Sequence, residues 1–381
     1  MISKYKFGQI ALILFLLIIT STCSTINLPV IGKTTCKAPD SVCAASSRVF
    51  KISSFDPLAS AIAIGPNLFV TNRHVVADEK KLKIFIPDQG SVEATIIPTS
   101  YSGDLILFRT DNIETPTPLI LAQANLKDSY YTIGADIRSR KIRVYKPGYL
   151  LIPLAIKKPF ARLHNNAYSQ PGNSGGALVN GKGELVAIVS SGGDGRNEAI
   201  PASEIKKLKS LSGPENEIKS QLLGIAYRNC VEALESFSPS SKQPPPQTIA
   251  TLKVKCTKTN NRQLWDLAGQ TFSRIGQYEQ ALEMFSRALE QDPNAINSLI
   301  SMAVIQHLNG HYTVEVGYLR RLIEILPSDI GVLRLGIQAG AWGNDRSLME
   351  KSLYLMKTHH PKLAPMARSF IKRNPTPPKR P

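Results

Sequence analysis

Ser174 lies in the run Gln170-Pro171-Gly172-Asn173-Ser174-Gly175-Gly176-Ala177-Leu178, with a His and an Asp upstream in settings that suit nucleophilic acyl chemistry. Glycines around a serine let backbone N–H groups converge beside its hydroxyl, which is what a developing oxyanion requires. His74 follows the strand-like run Leu68-Phe69-Val70-Thr71 and is flanked by Val75 and Val76, a natural seat for a general base. Asp104 stands at the mouth of the apolar run Leu105-Ile106-Leu107-Phe108. Partial burial there suits a group that orients an imidazole without itself taking the proton.

The spacing Gly172-x-Ser174-x-Gly176 also fits the nucleophile elbow of α/β-hydrolases, but in that fold the acid and the His follow the Ser. Downstream of Ser174 the histidines are His307, His311, His359 and His360, all in a helical repeat pattern. The order His, Asp, Ser resembles the chymotrypsin fold. TNRHVV, GDLILF and GNSGGALVN are similar to the bacterial high-temperature-requirement (HtrA or Deg) proteases, over residues 46–212 and including Ala199-Ile200-Pro201.

That resemblance implies a serine-type endopeptidase without cofactor, in which His74 is the base, Asp104 fixes its tautomer and Ser174 attacks the peptide carbonyl. It implies an oxyanion hole from the N–H groups of Gly172 and Ser174, with Asn173 between them. Ser190, Ser191 and Gly192 fall on the family's substrate-pairing strand, with Ser190 also placed to hold Asp104. Tyr168, six residues before Ser174, falls at the base of the primary pocket. It is not an acid, so cleavage after an aliphatic or small apolar residue is expected in preference to Lys or Arg. No PDZ domain follows, which departs from the best-known members and puts their trimeric assembly and peptide activation in doubt.

The elements that must position these residues read as short strands between turns over 59–64, 68–71, 82–87, 94–98, 105–109, 177–179 and 184–190. They suit two packed β-barrels, with His74 and Asp104 from the first and Ser174 from the second. Helical spacing follows at 203–211 and 215–234, then a Pro-rich break at 238–247 that reads as a stiff linker. Beyond it, Trp265, Gly269, Phe272, Gly276, Tyr278, Ala281, Phe285, Ala288 and Pro293 fall on the positions of a tetratricopeptide repeat. Pro293, Pro327 and Pro361 keep the 34-residue step. Gly310, Tyr312, Leu319 and Leu322 fill the second unit, and Leu333, Gly336, Leu353 and Met356 a degenerate third. Residues 363–372 read as a capping helix. An ordinary helical hairpin bundle is the alternative.

The chain has 381 residues, 26 of them Pro, and a formal net charge of +17. Its length suits two or three domains. The start pairs Lys4 and Lys6 with an apolar stretch and then small polar residues, as in a secretory signal; an uncleaved anchor is the alternative. Thr20-Ser21-Thr22 before Cys23 is a poor lipidation site, so lipidation is not expected. If Cys23 leaves, Cys36, Cys43, Cys230 and Cys256 remain, which allow three disulfide connectivities. The close pair Cys36 and Cys43 is expected to bridge to itself and Cys230 to Cys256, with free thiols as the alternative. No spacing suits a metal site.

Eight basic and no acidic residues occur from Arg138 to Arg162 (Arg138, Arg140, Lys141, Arg143, Lys146, Lys157, Lys158, Arg162), and basic residues recur after Glu350. Such stretches read first as solvated faces, and otherwise as surfaces for acidic partners or an anionic membrane. No nucleic-acid motif is present. The expected organisation is a signal or anchor over 1–24, a linker with a Cys pair over 25–45, the protease domain over 46–212, a helical segment and linker over 213–261, repeats with a cap over 262–374 and a basic tail over 375–381. The expected protein is an exported endopeptidase of the bacterial periplasm or medium, acting on protein or peptide substrates, with a protein partner at the repeats. The competing class is a silent protease-fold scaffold whose repeats bind partners.

Overall fold

A computed structural model describes residues 36–111, 113–237 and 244–377. The leader expected over 1–24 lies outside them. Helix α1 (Asp40–Ala45) precedes β1 (Val49–Ser53), β2 (Ala59–Gly65) and β3 (Leu68–Thr71). The four-residue α2 (Arg73–Val76) leads to β4 (Lys81–Ile86), β5 (Gly90–Ile97) and β6 (Ile106–Arg109). These strands close into an antiparallel barrel in the order β1-β2-β3-β6-β5-β4.

Strand alternation sorts the side chains into two cores. Ala59, Ala61, Ala63, Phe69, Ile106 and Phe108 fill the barrel, where Phe69 and Phe108 stack with centroids 5.1 Å apart. From the opposite faces of the same strands, Ile62, Val70 and Leu107 pack against the second β unit.

That unit comprises β7 (Tyr130–Ala135), β8 (Ile142–Val144), β9 (Leu163–Asn165), β10 (Ala177–Asn180), β11 (Leu185–Gly193) and β12 (Arg196–Pro201). They form a sheet ordered β8-β7-β10-β11-β12-β9. Single bridges from Gly148 to Tyr130 and from Leu150 to Asn165 tie the segment between β8 and β9 to both β7 and β9. The sheet is thus curled into the second half of a chymotrypsin-like fold; α3 (Glu204–Ser210) follows it and buries Ile205 and Leu208 in the core between the two β units.

Residues 37–45 are not the linker expected from sequence. Val42 and Ala45 of α1 are buried in the core between the two β units, and the Ser41 hydroxyl donates to the Gly181 carbonyl at 3.0 Å. A six-residue helix is too short to display a periodicity, so its apolar face passed unseen.

The C-terminal half is all helical. Helices α4 (Glu217–Glu235) and α5 (Pro246–Thr257) form a hairpin joined by the Cys230–Cys256 disulfide. Cys36 and Cys43 are each disulfide-bonded. Most of the Pro-rich break expected at 238–247 lies outside the described residues; its last two residues open α5, where the missing N–H of Pro246 would have had no helical partner.

Three further hairpins follow: α6 (Arg262–Arg274) with α7 (Tyr278–Gln291), α8 (Ile296–Leu308) with α9 (Tyr312–Ile325), and α10 (Ile330–Trp342) with α11 (Arg346–His359). Helix α12 (Ala364–Arg373) packs on the last. First helices begin at 262, 296 and 330 and second helices at 278, 312 and 346, a constant step of 34 residues (296 − 262, 312 − 278). The turn inside each hairpin has a residue with positive φ at 276, 310 and 344. The third is Asn344, which tolerates that conformation nearly as glycine does. This replacement is part of what made the third unit look degenerate.

Gly269 is where α6 meets α7, since a Cβ there would lie 2.6 Å from the Phe285 ring. His307 pairs with Glu315 at 3.0 Å, and His360 lies 2.7 Å from the Ser328 carbonyl oxygen.

Candidate active site

The site forms where the barrel meets the curled sheet. The α2 turn carries His74, and the segment before β6 carries Asp104. The two segments are laced together by backbone bonds: the Arg73 N–H and the Asn72 Nδ2 donate to the Asp104 carbonyl oxygen at 3.3 and 3.0 Å. The side chains then meet squarely. His74 Nδ1 lies 2.9 Å from Asp104 Oδ2, and the His74 N–H donates to Asp104 Oδ1 at 3.0 Å. Both residues are 6 % exposed.

Burial pushes the Asp104 carboxyl up, but the charge and hydrogen bond of His74 and the charge of Arg162 outweigh it and hold it down at about 2. It is therefore a stable anion next to an imidazole, the arrangement that fixes a tautomer.

Ser174 sits in the loop between β9 and β10, and Ser190 of β11 joins it to the pair. The Ser174 hydroxyl donates to the Ser190 carbonyl oxygen at 3.1 Å, and the Ser190 hydroxyl donates to Asp104 Oδ2 at 2.9 Å. Among the described residues no hydrogen bond joins Ser174 to His74. Ser174 is partly exposed, whereas Gly172, Asn173 and Gly175 around it are buried.

The loop's shape is over-determined. Gly172 has φ +98° and its carbonyl is turned inward, accepting from the Ser60 hydroxyl at 2.8 Å. The same hydroxyl receives the Ala135 N–H at 2.8 Å. Asn173 is fully buried; its amide donates to the Ala135 carbonyl oxygen at 3.0 Å and its oxygen receives the Gln170 N–H at 2.9 Å. Within this frame the Gly172 and Ser174 N–H groups have no protein acceptor among the described residues. Two free backbone donors beside a hydroxyl are a ready anion site.

On β11 the ladder with β10 ends at Ile188, while that with β12 continues to Gly193. The edge bearing Ser190, Ser191 and Gly192 is thus open on one side to an extended peptide. Tyr168 is half exposed and stacks on Tyr145 with centroids 5.4 Å apart.

Several partners of the site gave no sequence signal. Tyr227 of α4 lies over His74, ring centroids 6.3 Å apart. Arg162, read as the end of a solvated basic stretch, is buried, with Nη2 3.5 Å from Asp104 Oδ2 and Nη1 3.2 Å from Glu198 Oε2. The other seven basic residues of that stretch are exposed. His164, a second histidine upstream of Ser174, is held away by Asp292, its Nε2 2.8 Å from Oδ2. Nothing local distinguishes these charges from surface ones, because their partners lie 34 (198 − 164) to 130 residues away.

Burial also opposes ionisation of Glu198, yet Arg262, His164 and Arg162 bring it down to about 2. Asp104 and Glu198 both carry a folded-state pKa below the unfolded one. Their contribution is fully present above about pH 4.5 and is lost as pH falls through 2. We expect the unfolding free energy from urea titrations to fall steeply over that window, by on the order of 2–3 kcal/mol for each group. Glu198→Gln should remove its share of the slope.

Residues 59–188 match the family model described as Trypsin-like peptidase domain. A probable periplasmic serine endoprotease DegP-like protein of Pseudomonas putida is 29% identical over 194 residues, which cover 47% of this chain and 40% of that protein. Periplasmic serine endoprotease DegP of Salmonella typhimurium is 28% identical over 172 residues, covering 41% of this chain and 35% of that one. The chain thus spans about two fifths or less of the length of these curated relatives.

Among solved structures, the inactive form of the Rv3671c protease matches at 21% identity and a TM-score of 0.39, over 46% of this chain and 98% of that one. The HtrA-type protease AlgW with a tripeptide matches at 22% identity and a TM-score of 0.39, over 45% of this chain and 62% of that one.

Proposed function

With the β-rich half being a trypsin-like peptidase domain similar to those of HtrA-type proteases, we propose that this protein is an exported serine endopeptidase acting on protein or peptide substrates in the periplasm or outside the cell. His74 removes the proton of the Ser174 hydroxyl as it attacks the peptide carbonyl and returns it to the leaving amine. Water then hydrolyses the acyl-enzyme by the same route. Asp104 fixes the tautomer, and the N–H groups of Gly172 and Ser174, spaced by Asn173, receive the oxyanion. Losing one such donor typically costs about 2.7–4 kcal/mol of transition-state stabilisation.

The open edge at Ser190, Ser191 and Gly192 pairs with the substrate backbone, and Tyr168 borders a pocket for an apolar side chain. The 34-residue hairpins act as tetratricopeptide repeats that recruit a partner or substrate. The exposed basic residues of 138–158 offer a face to an acidic partner or an anionic membrane.

The observation that carries this reading is the pairing of a buried His74–Asp104 couple with two unengaged N–H donors beside Ser174. A second reading, a silent scaffold, is favoured by one contact: the Ser174 hydroxyl is engaged by the Ser190 carbonyl. Catalytic hydrogen bonds to a nucleophile often form fully only with substrate present.

A fluorophosphonate probe distinguishes the readings. We expect an adduct on Ser174 located by mass spectrometry and abolished in both Ser174→Ala and His74→Ala. A folded wild-type protein that takes no adduct, with or without cell-envelope extract, would leave the scaffold.

A further inference from the structure

Asp104 is reached from the helical half by an unbroken chain of buried charges. Arg162 stands between Asp104 and Glu198, and its Nη1 also donates to the Ser191 hydroxyl at 3.1 Å. Glu198 Oε2 receives Arg262 Nη2 at 2.5 Å, and Arg262 Nη1 donates to Asp292 Oδ2 at 2.6 Å. The same Asp292 oxygen accepts the backbone N–H of Arg162 at 3.0 Å.

Signs alternate along the path: Asp104, Arg162, Glu198, Arg262, Asp292. Arg262 opens α6 and Asp292 follows α7, so two of the five groups belong to the first repeat hairpin. None of the five exceeds 6 % exposure. Little space remains beside them: the gap lined by Asp104, Arg162, Asn260 and Gln291 is about 20 Å³, roughly room for one water.

Arg162 has two carboxylates to choose between. With Arg262 in place, the Glu198 charge is shared by two guanidinium groups and Arg162 can lean on Asp104. Without Arg262, Glu198 has a single guanidinium beside it, and a buried carboxylate in that position draws it closer. Asp104 would then lose its nearest cation.

We propose that Arg162 is a positioning residue of the proteolytic site and that Arg262 of the helical half sets its place through Glu198, so that the site is competent only while the first repeat hairpin is docked. The inference rests on the serine-protease reading above and gives the repeats a second role, as a built-in part of the active site in addition to a recruiting surface. The other ionisable groups around this path are Arg73 of α2, Tyr101 and, on α4, Tyr227, which act with Asp104; His164 beside Glu198 and Asp292; and Asp266 of α6, whose carboxyl is pushed up to about 7 by burial and the Glu198 charge.

The test is the second-order rate of Ser174 phosphonylation between pH 5.5 and 9 on the full chain, for wild type, Arg262→Met, Arg262→Lys and the double exchange Glu198→Gln with Arg262→Met. The double exchange removes one charge of each sign and guards against loss of folding in the single variant. Circular dichroism verifies the fold of each.

We expect Arg262→Met to label at least tenfold more slowly, with the acid limb of the profile displaced to higher pH, because a cation near the His74–Asp104 couple opposes uptake of another proton there. Arg262→Lys should recover part of the rate, and the double exchange, which also removes the carboxylate that would draw Arg162 away, should recover most of it. Folded Arg262→Met with the wild-type rate and profile, or a folded double exchange as slow as Arg262→Met, would overturn the proposal while leaving the protease reading intact. A uniformly lower labelled fraction with an unmoved profile would also overturn it, as simple destabilisation. A wild type that never labels would overturn the protease reading and this inference with it.

Discussion

Asp104→Asn is expected to lower kcat/KM for peptide hydrolysis by about 10⁴, the size typical of this exchange in a serine triad, with the protein still folded at 25 °C. The cause is donor geometry. Asp104 Oδ2 receives His74 Nδ1 and the Ser190 hydroxyl, both at 2.9 Å, while Oδ1 receives the His74 N–H at 3.0 Å. An amide has one acceptor oxygen. If its NH₂ takes the Oδ2 place, it faces His74 Nδ1 and forces the ring proton onto Nε2, where the base must be free. If it takes the Oδ1 place, two donors face each other. Steady-state cleavage of a denatured protein substrate measures the effect, and a loss of less than tenfold would remove Asp104 from the mechanism.

The largest effect on stability is expected at Gly175. Its φ is +80°, and an added Cβ would lie 2.1 Å from the Ser60 carbonyl oxygen and 2.2 Å from Thr71 Oγ1. Those two atoms are already joined, the Thr71 hydroxyl donating to that carbonyl at 2.8 Å, so neither can move aside without breaking the other's bond. Gly175→Ala should cost about 3 kcal/mol or more, through backbone strain and displacement of β2 from β3. Gly181 is the control: no atom lies within 4 Å of its added Cβ. Gly181→Ala should stay within about 0.5 kcal/mol of wild type. Urea midpoints of the two variants measure the contrast, and equal midpoints would show that the loop yields.

What could be read from the sequence was what local order encodes. His74, Asp104 and Ser174 each stand in a motif of a few residues, and the repeat step was carried by prolines and glycines whose backbone needs are local. The place of the Ser190 hydroxyl beside Asp104 came only from the family resemblance. The rest depended on partners distant in the chain. Arg162 looked like one of eight basic residues in an acid-free stretch, and only the approach of Asp104, Glu198 and Asp292 from three other segments makes it a buried ion. Tyr227 sat in a stretch read only for its helical spacing, with no residue pattern to say that its ring would lie over His74. Val42 and Ala45 were missed for the opposite reason, because six residues hold too little pattern to read.

The polar seam between the two halves also constrains the order in which the chain can fold. Apolar faces gain from every partial contact, so they can collapse early and adjust later. Charged faces cannot, since stripping water from Glu198, Arg262 and Asp292 is unfavourable until each opposite charge has arrived in register. The polar part of the seam is therefore expected to close only after the β half and the first hairpin have built their own cores.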